Sequence, residues 1–112
     1  MTSVVIIADS GAEMARLTAH VHAARGMTLA RHASGRVSVD RIVADHRPSL
    51  ILIGEMSPRR LVFERLDEIR RSSPESKVVV VAADWDARWL GSVLHEVLET
   101  PTSDAPALAQ AA

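Results

Sequence analysis

Residues 50–58 read LILIGEMSP, a short apolar run that ends at a glycine and a glutamate and is followed by a turn closed by Pro58. Apolar runs without polar alternation are typical of strands buried on both faces of a parallel sheet. Ligands of such sheets bind at the carboxyl ends of the strands. Gly54 and Glu55 therefore lie where an α/β protein usually has its catalytic or ligand-binding residues. The chemistry available to these two residues bears directly on the function.

Two other runs have the same pattern, VVIIA at residues 4–8 and VVVVAA at residues 78–83. Between the runs, apolar residues recur at spacings of three and four, as in amphipathic helices, and a last such stripe lies in ARWLGSVLHEVLE at residues 87–99. The alternation in MTLARHA, residues 27–33, indicates a half-covered edge strand. The predicted order is β-α-β-α-β-α-β-α, which implies a parallel sheet with right-handed crossovers.

Several residues mark the ends of the predicted helices. Ser10 can cap the first helix, and Gly26 can end it. Ser57 with Pro58 is a good start for the third helix. The clusters HRPS at residues 46–49 and SSPES at residues 72–76 predict turns that lead into the next strand.

The length of 112 residues suits one domain, which we assign to residues 1–99. Residues 100–112, TPTSDAPALAQAA, contain prolines and small residues without an apolar stripe. This composition predicts a disordered tail or the stub of a linker.

The composition excludes several classes of protein. With 13 basic and 14 acidic residues the formal charge is -1, so we expect no direct nucleic-acid partner and no membrane partner. The absence of cysteine excludes a disulfide scaffold, a thiolate zinc site and a cysteine nucleophile. The N-terminus lacks the basic segment of a signal peptide, and its apolar run is too short to span a membrane, so we expect a cytoplasmic protein.

Three segments that end in or lead into the predicted strands have a characteristic order and spacing: VVIIADS at residues 4–10, RPSLILIGEMSP at residues 47–58 and SSPESKVVVVAA at residues 72–83. In order and spacing the sequence resembles the receiver domain of two-component response regulators, especially those that precede a LuxR/NarL-type DNA-binding domain. The resemblance implies an α/β, flavodoxin-like (CheY-like) fold with four parallel strands in the order 2-1-3-4. A fifth strand cannot be found, so the last helix is either the fourth helix of a chain that stops early or the fifth, brought forward by a deletion.

The resemblance also implies what the acidic pocket of the domain has lost. Asp9 keeps the first of two acidic residues that hold Mg²⁺ in the family, while Ser10 replaces the second. Gly54 replaces the aspartate that is phosphorylated, and Ala82 replaces the hydroxyl residue after the fourth strand. The family's lysine cannot be placed, because the only lysine is Lys77, at the opposite end of that strand. A degenerate phosphoacceptor pocket follows.

Glu55 is the residue most open to a functional interpretation, because it could face Asp9 and hold a divalent cation. Two carboxylates with no other fixed oxygen make a weak Mg²⁺ site. We therefore interpret Glu55 as a solvated loop residue and expect no metal and no cofactor. His20 and His22 are two apart on a helix and do not share a face, so they are not a ligand pair, and no catalytic residue is assigned.

The third helix is rich in arginine, but Glu64, Asp67 and Glu68 are interspersed with the arginines. This mixture predicts a solvated, salt-bridged surface rather than a phosphate-binding stripe.

Two tryptophans lie four residues apart at the start of the last helix, and the valine-rich fourth strand has no predicted neighbour on one side. Tryptophan is enriched at binding hot spots, and an uncovered strand edge invites pairing with another chain. Packing inside the core is the alternative for the tryptophans. The predicted interface consists of Val79, Val81, Trp85, Trp89 and Val93.

The sequence thus favours a pseudo-receiver that does not depend on phosphorylation and acts through protein contacts, as a homodimer. One alternative is the regulatory half of a LuxR/NarL-type transcriptional regulator without its DNA-binding domain. The other is a small Mg²⁺- or nucleotide-binding enzyme, which the sequence disfavours because it has neither a GxGxxG motif nor a phosphate loop.

Overall fold

The computed structural model describes residues 2–82, 84–99 and 108–110. Strands and helices alternate along these residues. In chain order they are β1 (Thr2–Ile7), α1 (Gly11–Ala23), β2 (Met27–Ala33), α2 (Asp40–His46), β3 (Leu50–Ile53), α3 (Arg60–Ser72), β4 (Lys77–Val80), α4 (Ala87–Glu99) and β5 (Leu108–Gln110).

The strands form one parallel sheet in the order β2-β1-β3-β4-β5. β1 lies between its two neighbours, so that Val4 pairs with Leu29 of β2 on one side and with Leu50 of β3 on the other. The four strands predicted from the sequence therefore occupy the predicted order 2-1-3-4, and the α/β prediction is confirmed.

The fifth strand corrects two expectations. Residues 108–110 pair in parallel with Val78, Val79 and Val80, so the fifth strand is not missing and β4 is not an edge. The prediction of a disordered tail is wrong for these three residues, and the rest of residues 100–112 lies outside the described residues, as does Ala83 of the predicted fourth strand. The sequence LAQ is three residues long and has no β-branched residue, so a pattern search for strands passes over it.

The sheet is covered on both faces, which explains the non-alternating runs. Alternate residues of β1 point to opposite sides, with Val5 and Ile7 in one core layer and Val4 and Ile6 in the other. Helices α2 and α3 pack in the first layer, and α1 and α4 in the second. Every residue of β3 is buried, as the apolar run at residues 50–53 predicts.

Helix α4 lies on an unexpected face. The step from β4 to β5 runs across the sheet in the same direction as the step from β3 to β4, so a right-handed crossover would place α4 beside α3. Instead, Leu90 and Leu94 share a core layer with Leu17 and Val21 of α1. The β4–α4–β5 crossover therefore has the opposite hand to β3–α3–β4, contrary to the predicted right-handed connections.

The helix ends agree with the sequence in part. Ser10 caps α1, since its Oγ accepts a hydrogen bond from Glu13 N at 3.3 Å. The structure ends α1 at Ala23 with Ala24 as the C-cap, earlier than predicted, and Gly26 lies in the following turn with a φ of 79°, which glycine adopts without strain. The prediction for α3 is wrong in detail, because the helix begins after Arg59 and no side chain caps it.

A buried ion pair replaces the salt-bridged surface predicted for α3. Arg65 and Glu68 have side chains only 8% and 10% exposed and lie 3.1 Å apart. Glu68 also accepts a hydrogen bond from Val39 N at 2.8 Å, and Arg65 donates to the Val37 carbonyl, so the pair holds the β2–α2 loop against α3. The described residues contain no ion pair for the exposed arginines at 59, 60, 70 and 71.

None of the helices described is long and apolar enough to cross a membrane.

Candidate functional site

An open cleft of about 520 Å³ lies at the carboxyl ends of β1 and β3. Its lining combines acidic, basic and hydroxyl side chains from three neighbouring segments: Asp9, Ser10, Ala12, Glu13, Arg16, Arg36, Glu55, Met56 and Ser57. The topology thus brings together three of the predicted pocket residues, Asp9, Ser10 and Glu55, around the end of β3. Ala82 does not line the cleft, and its carbonyl accepts a hydrogen bond from Trp85 N at 3.2 Å.

Gly54 is buried directly after β3, next to the cleft residue Glu55 in the chain. Its N–H donates to the carbonyl of Ile7 at 2.8 Å, which extends the pairing of β1 with β3 by one bond. A Cβ added to Gly54 would overlap the carboxylate of Glu13 and lie 3.0 Å from the Cβ of Ala8. The position therefore has no room for a side chain while Glu13 stays where it is.

Glu13 takes up the space above Gly54. It lies in the first turn of α1, and its Oε1 accepts a hydrogen bond from Glu55 N at 2.7 Å. A carboxylate is thus present beside the end of β3, but it comes from α1 and its oxygen is engaged by the backbone of the β3–α3 loop. Glu13 is not among the pocket residues predicted from the sequence.

The signal for Glu13 was ambiguous. Ser10 and Glu13 have the S-x-x-E spacing of a capping box, in which the glutamate reaches back to the N–H of the capping residue. The Ser10 half of that motif is formed. The carboxylate of Glu13 turns across to Glu55 instead, a long-range contact that spacing along one helix cannot reveal.

Asp9 is the second carboxylate of the cleft, with a side chain 14% exposed. Its Oδ2 lies 3.7 Å from Arg36 Nε and accepts a hydrogen bond from Ser57 N at 3.4 Å. Its Oδ1 is buried and has no hydrogen-bond partner among the residues described. Asp9 therefore connects β1 to both the β2–α2 loop and the β3–α3 loop.

The side chain of Glu55 is exposed, and only its backbone N–H is used in the site. Within residues 2–82, 84–99 and 108–110, no group of three or more acidic or histidine residues is placed to hold a metal ion. A cation bound by Asp9 and Glu55 would therefore find no third acidic or histidine ligand in this part of the chain.

The predicted interface is largely internal. Val79 and Val81 are buried in the core layer under α1 and α4, and Trp85 is only 6% exposed. These three residues cannot offer side chains to a partner, so that part of the prediction is wrong, because β5 covers the strand edge and α1 covers Trp85. Trp89 and Val93 are partly buried at the border of the same layer, and their role stays a prediction.

Comparison with known proteins places this geometry in a fold. The chain is similar to the signal receiver domain of the response regulator NarL from Mycobacterium tuberculosis, with a TM-score of 0.62, 12% identity, and coverage of 95% of this chain and 86% of that one. It is also similar to the response regulator domain of CheB from Thermotoga maritima, with a TM-score of 0.64, 15% identity, and coverage of 97% and 83%. The chain has the receiver fold.

A third similar structure with this fold is a pilus assembly protein, CpaE, from Burkholderia thailandensis, with a TM-score of 0.56, 11% identity, and coverage of 98% and 85%. No protein-family model and no curated protein matches the sequence. The likeness is thus one of fold, and the receiver fold explains why the cleft lies at the ends of β1 and β3.

Proposed function

We propose that this chain is a pseudo-receiver that acts in signal transduction without being phosphorylated and that works through protein contacts, as a homodimer. One observation carries the proposal: Gly54 lies at the end of β3, and the carboxylate of Glu13 fills the space above it. The likeness to receiver domains of regulators supports a role in signalling.

Phosphorylation of a carboxylate needs a nucleophilic oxygen that can reach the phosphorus atom and a cation that neutralises the phosphoryl oxygens. Gly54 has no side chain to supply the nucleophile. Glu13 Oε1 is held by the Glu55 amide, and Asp9 Oδ2 is engaged by Ser57 N and Arg36. The carboxylates of Glu13 and Asp9 therefore serve to hold loops together.

A module without an acceptor cannot be switched by an acyl phosphate. Its conformations can shift only through an agent that binds one of them more tightly, such as a partner protein or a second copy of the chain. The concentration of the chain itself and of its partner protein would then control its conformation, in place of phosphorylation by a kinase.

The test is exposure of the purified chain to acetyl phosphate and Mg²⁺, followed by intact-mass spectrometry, with a receiver domain that has an intact acidic pocket treated in parallel. We expect the mass of this chain to stay unchanged while the control gains a phosphoryl group. A phosphoryl adduct that disappears in the Asp9→Ala or Glu55→Ala variant would refute the proposal.

A second candidate is the regulatory half of a LuxR/NarL-type transcriptional regulator, which the likeness to the NarL receiver domain favours. A helix-turn-helix encoded next to this chain, and a change in DNA binding when the two are joined, would support it. The small enzyme that the sequence disfavours gains no support from the described residues. Stabilisation of the chain by a nucleotide with Mg²⁺ in a thermal-shift assay is the result that would revive it.

A further inference from the structure

We propose that Glu13 is a built-in latch: its carboxylate occupies the site vacated by the phosphoacceptor side chain and holds the β3–α3 loop in one conformation. The latch is defined by three residues, Glu13, Gly54 and Glu55. It deepens the proposed function, on which it rests, since it says how a receiver fold without an acceptor keeps a fixed arrangement of the loops around its cleft.

The first step is the contact itself. Glu13 Oε1 and Glu55 N lie 2.7 Å apart and 42 residues apart in the chain. Hydrogen bonds to an ionised acceptor are stronger than bonds between neutral groups. One such bond therefore ties the first turn of α1 to the loop that follows β3.

The second step is that Glu13 is not needed to cap its own helix. Ser10 already accepts the hydrogen bond from Glu13 N, and Ser10 O accepts the bond from Met14 N. The positive end of the helix dipole also favours an ionised carboxylate in the first turn. The side chain of Glu13 is thus free to reach the loop.

The third step is that the same loop is fixed at further points. Ser57 N donates to Asp9 Oδ2, so a carboxylate from the end of β1 holds the loop two residues beyond the latch. Met56 is buried against Gly35, where an added Cβ would lie 2.6 Å from the methionine Cε. Two carboxylates and one apolar contact together set the conformation of residues 54–57.

The fourth step is the coupling between Glu13 and Gly54. The backbone of Gly54 does not have a positive φ, so an alanine there is not strained by conformation. Its methyl group would overlap the far end of the Glu13 side chain and lie 3.0 Å from the Cβ of Ala8, so the flexible glutamate is the group that must move away. A side chain at position 54 and the latch are therefore mutually exclusive, which predicts that substitutions at the two positions are not additive.

The experiment measures hydrogen exchange of the Glu55 amide by NMR in the full chain and in five variants. Glu13→Asp keeps the charge near the helix dipole but shortens the reach, whereas Glu13→Gln keeps the reach and loses the charge. Gly54→Ala is made in the wild-type chain and in the Glu13→Ala chain. The Gly54 amide, which donates to Ile7 and not to the latch, is the internal control.

We expect exchange at Glu55 to rise about tenfold in Glu13→Asp and in Gly54→Ala, the size expected for the loss of one charge-assisted hydrogen bond. Glu13→Gln should remain closer to the wild type, because its amide oxygen can still accept. In the Glu13→Ala chain, adding Gly54→Ala should leave exchange at Glu55 unchanged, and exchange at Gly54 should stay the same in Glu13→Asp.

Two results would overturn the latch. One is wild-type exchange at Glu55 in Glu13→Asp, and the other is an equal effect of Gly54→Ala with and without Glu13. These results are independent of the acetyl phosphate experiment. A phosphorylated chain with a working latch contradicts the proposed function alone, and an unphosphorylated chain whose Glu55 amide ignores Glu13 contradicts the latch alone.

Discussion

The guanidinium of Arg16 lies over the ring of Trp85, with its central carbon 4.3 Å from the ring centre, and its Nη2 donates a hydrogen bond to the Trp85 carbonyl at 2.9 Å. The two contacts join α1 to the segment between β4 and α4, 69 residues apart in the chain. Arg16 also lines the cleft, so the same residue links the cleft to the core layer under α1 and α4.

Replacing Arg16 with alanine should lower the free energy of unfolding by about 1 kcal/mol, because an exposed cation–π contact and one hydrogen bond are lost together. Arg16→Lys should recover only part of this loss, since an ammonium lacks the planar surface that stacks on the indole. Urea unfolding followed by circular dichroism gives the values. The control is Arg25→Ala, at an exposed position close to the end of the same helix. An equal loss in both variants would show that the Trp85 contact is not the cause.

His20 should make the stability depend on pH. Its imidazole lies edge-on to Trp85, with ring centres 6.2 Å apart, and burial lowers the pKa of His20 from the ordinary value of 6.5. The unfolded chain then binds the proton at a higher pH than the folded chain, so stability is lost as pH falls below 6.5 toward the folded-state pKa.

The measurement is urea unfolding at pH values well above and well below 6.5, in the wild type and in His20→Gln. We expect the wild type to lose more stability on acidification than His20→Gln does. His22→Gln, an exposed neighbour on the same helix, is the matched control and should follow the wild type. If the free energy of unfolding depends on pH equally in His20→Gln and in the wild type, burial of His20 does not contribute to the pH dependence.

The buried pair on α3 should be costly to break from one side. Glu68→Ala leaves Arg65 without its closest carboxylate and Val39 N without its acceptor, so it should lower the free energy of unfolding by about 3–5 kcal/mol. The double variant Arg65→Met/Glu68→Leu should lose less than Glu68→Ala, since no buried charge remains. Thermal and urea unfolding both measure this.

Glu64→Ala is the control for that pair. Glu64 also lies 3.4 Å from Arg65, but its side chain is 50% exposed, so its loss should cost under about 1 kcal/mol. A Glu68→Ala variant no less stable than Glu64→Ala would mean that the pair is not needed to hold the β2–α2 loop.

The proposed homodimer should depend on Trp89. Trp89 and Val93 lie on adjacent turns of α4 and are only partly buried in the core. A tryptophan at an interface commonly contributes a large share of the binding energy. Trp89→Ala should raise the dimer dissociation constant about tenfold or more, as measured by sedimentation equilibrium. Arg88→Ala, exposed on the same helix, should leave it unchanged. A wild-type chain that stays monomeric at every concentration would disprove self-association and direct the search to a different protein.

Much of the fold could be predicted from the sequence because strands buried on both faces are uninterrupted apolar runs. The runs at residues 4–8 and 50–53 and the stripe at residues 87–99 each correspond to an observed strand or helix. Residues 108–110 contain no such run, because their pairing with β4 is a backbone interaction that three ordinary residues can make. The face chosen by α4 was equally hidden, since an apolar stripe shows that a helix packs but not which side of the sheet it covers.

The sequence predicted where the site lies in the fold but not the contact that Glu13 makes there. Asp9, Ser10, Gly54 and Glu55 do meet at one edge of the sheet, which follows from parallel strands alone. That Glu13 reaches over Gly54 depends on the separation between α1 and β3, which no local pattern encodes. The same limit explains Trp85, whose spacing from Trp89 suggested a shared surface although Arg16 and the core cover it.

The crowding of Glu13 above Gly54 also bears on how this chain could change over evolutionary time. An aspartate at position 54 would force its side chain into the Glu13 carboxylate, so the single change adds steric overlap and like-charge repulsion. Gly54→Asp should therefore be less stable than Glu13→Ala/Gly54→Asp. A chain with this pair accepts an aspartate at position 54 at lower cost once the glutamate is gone, so the order of the two substitutions matters.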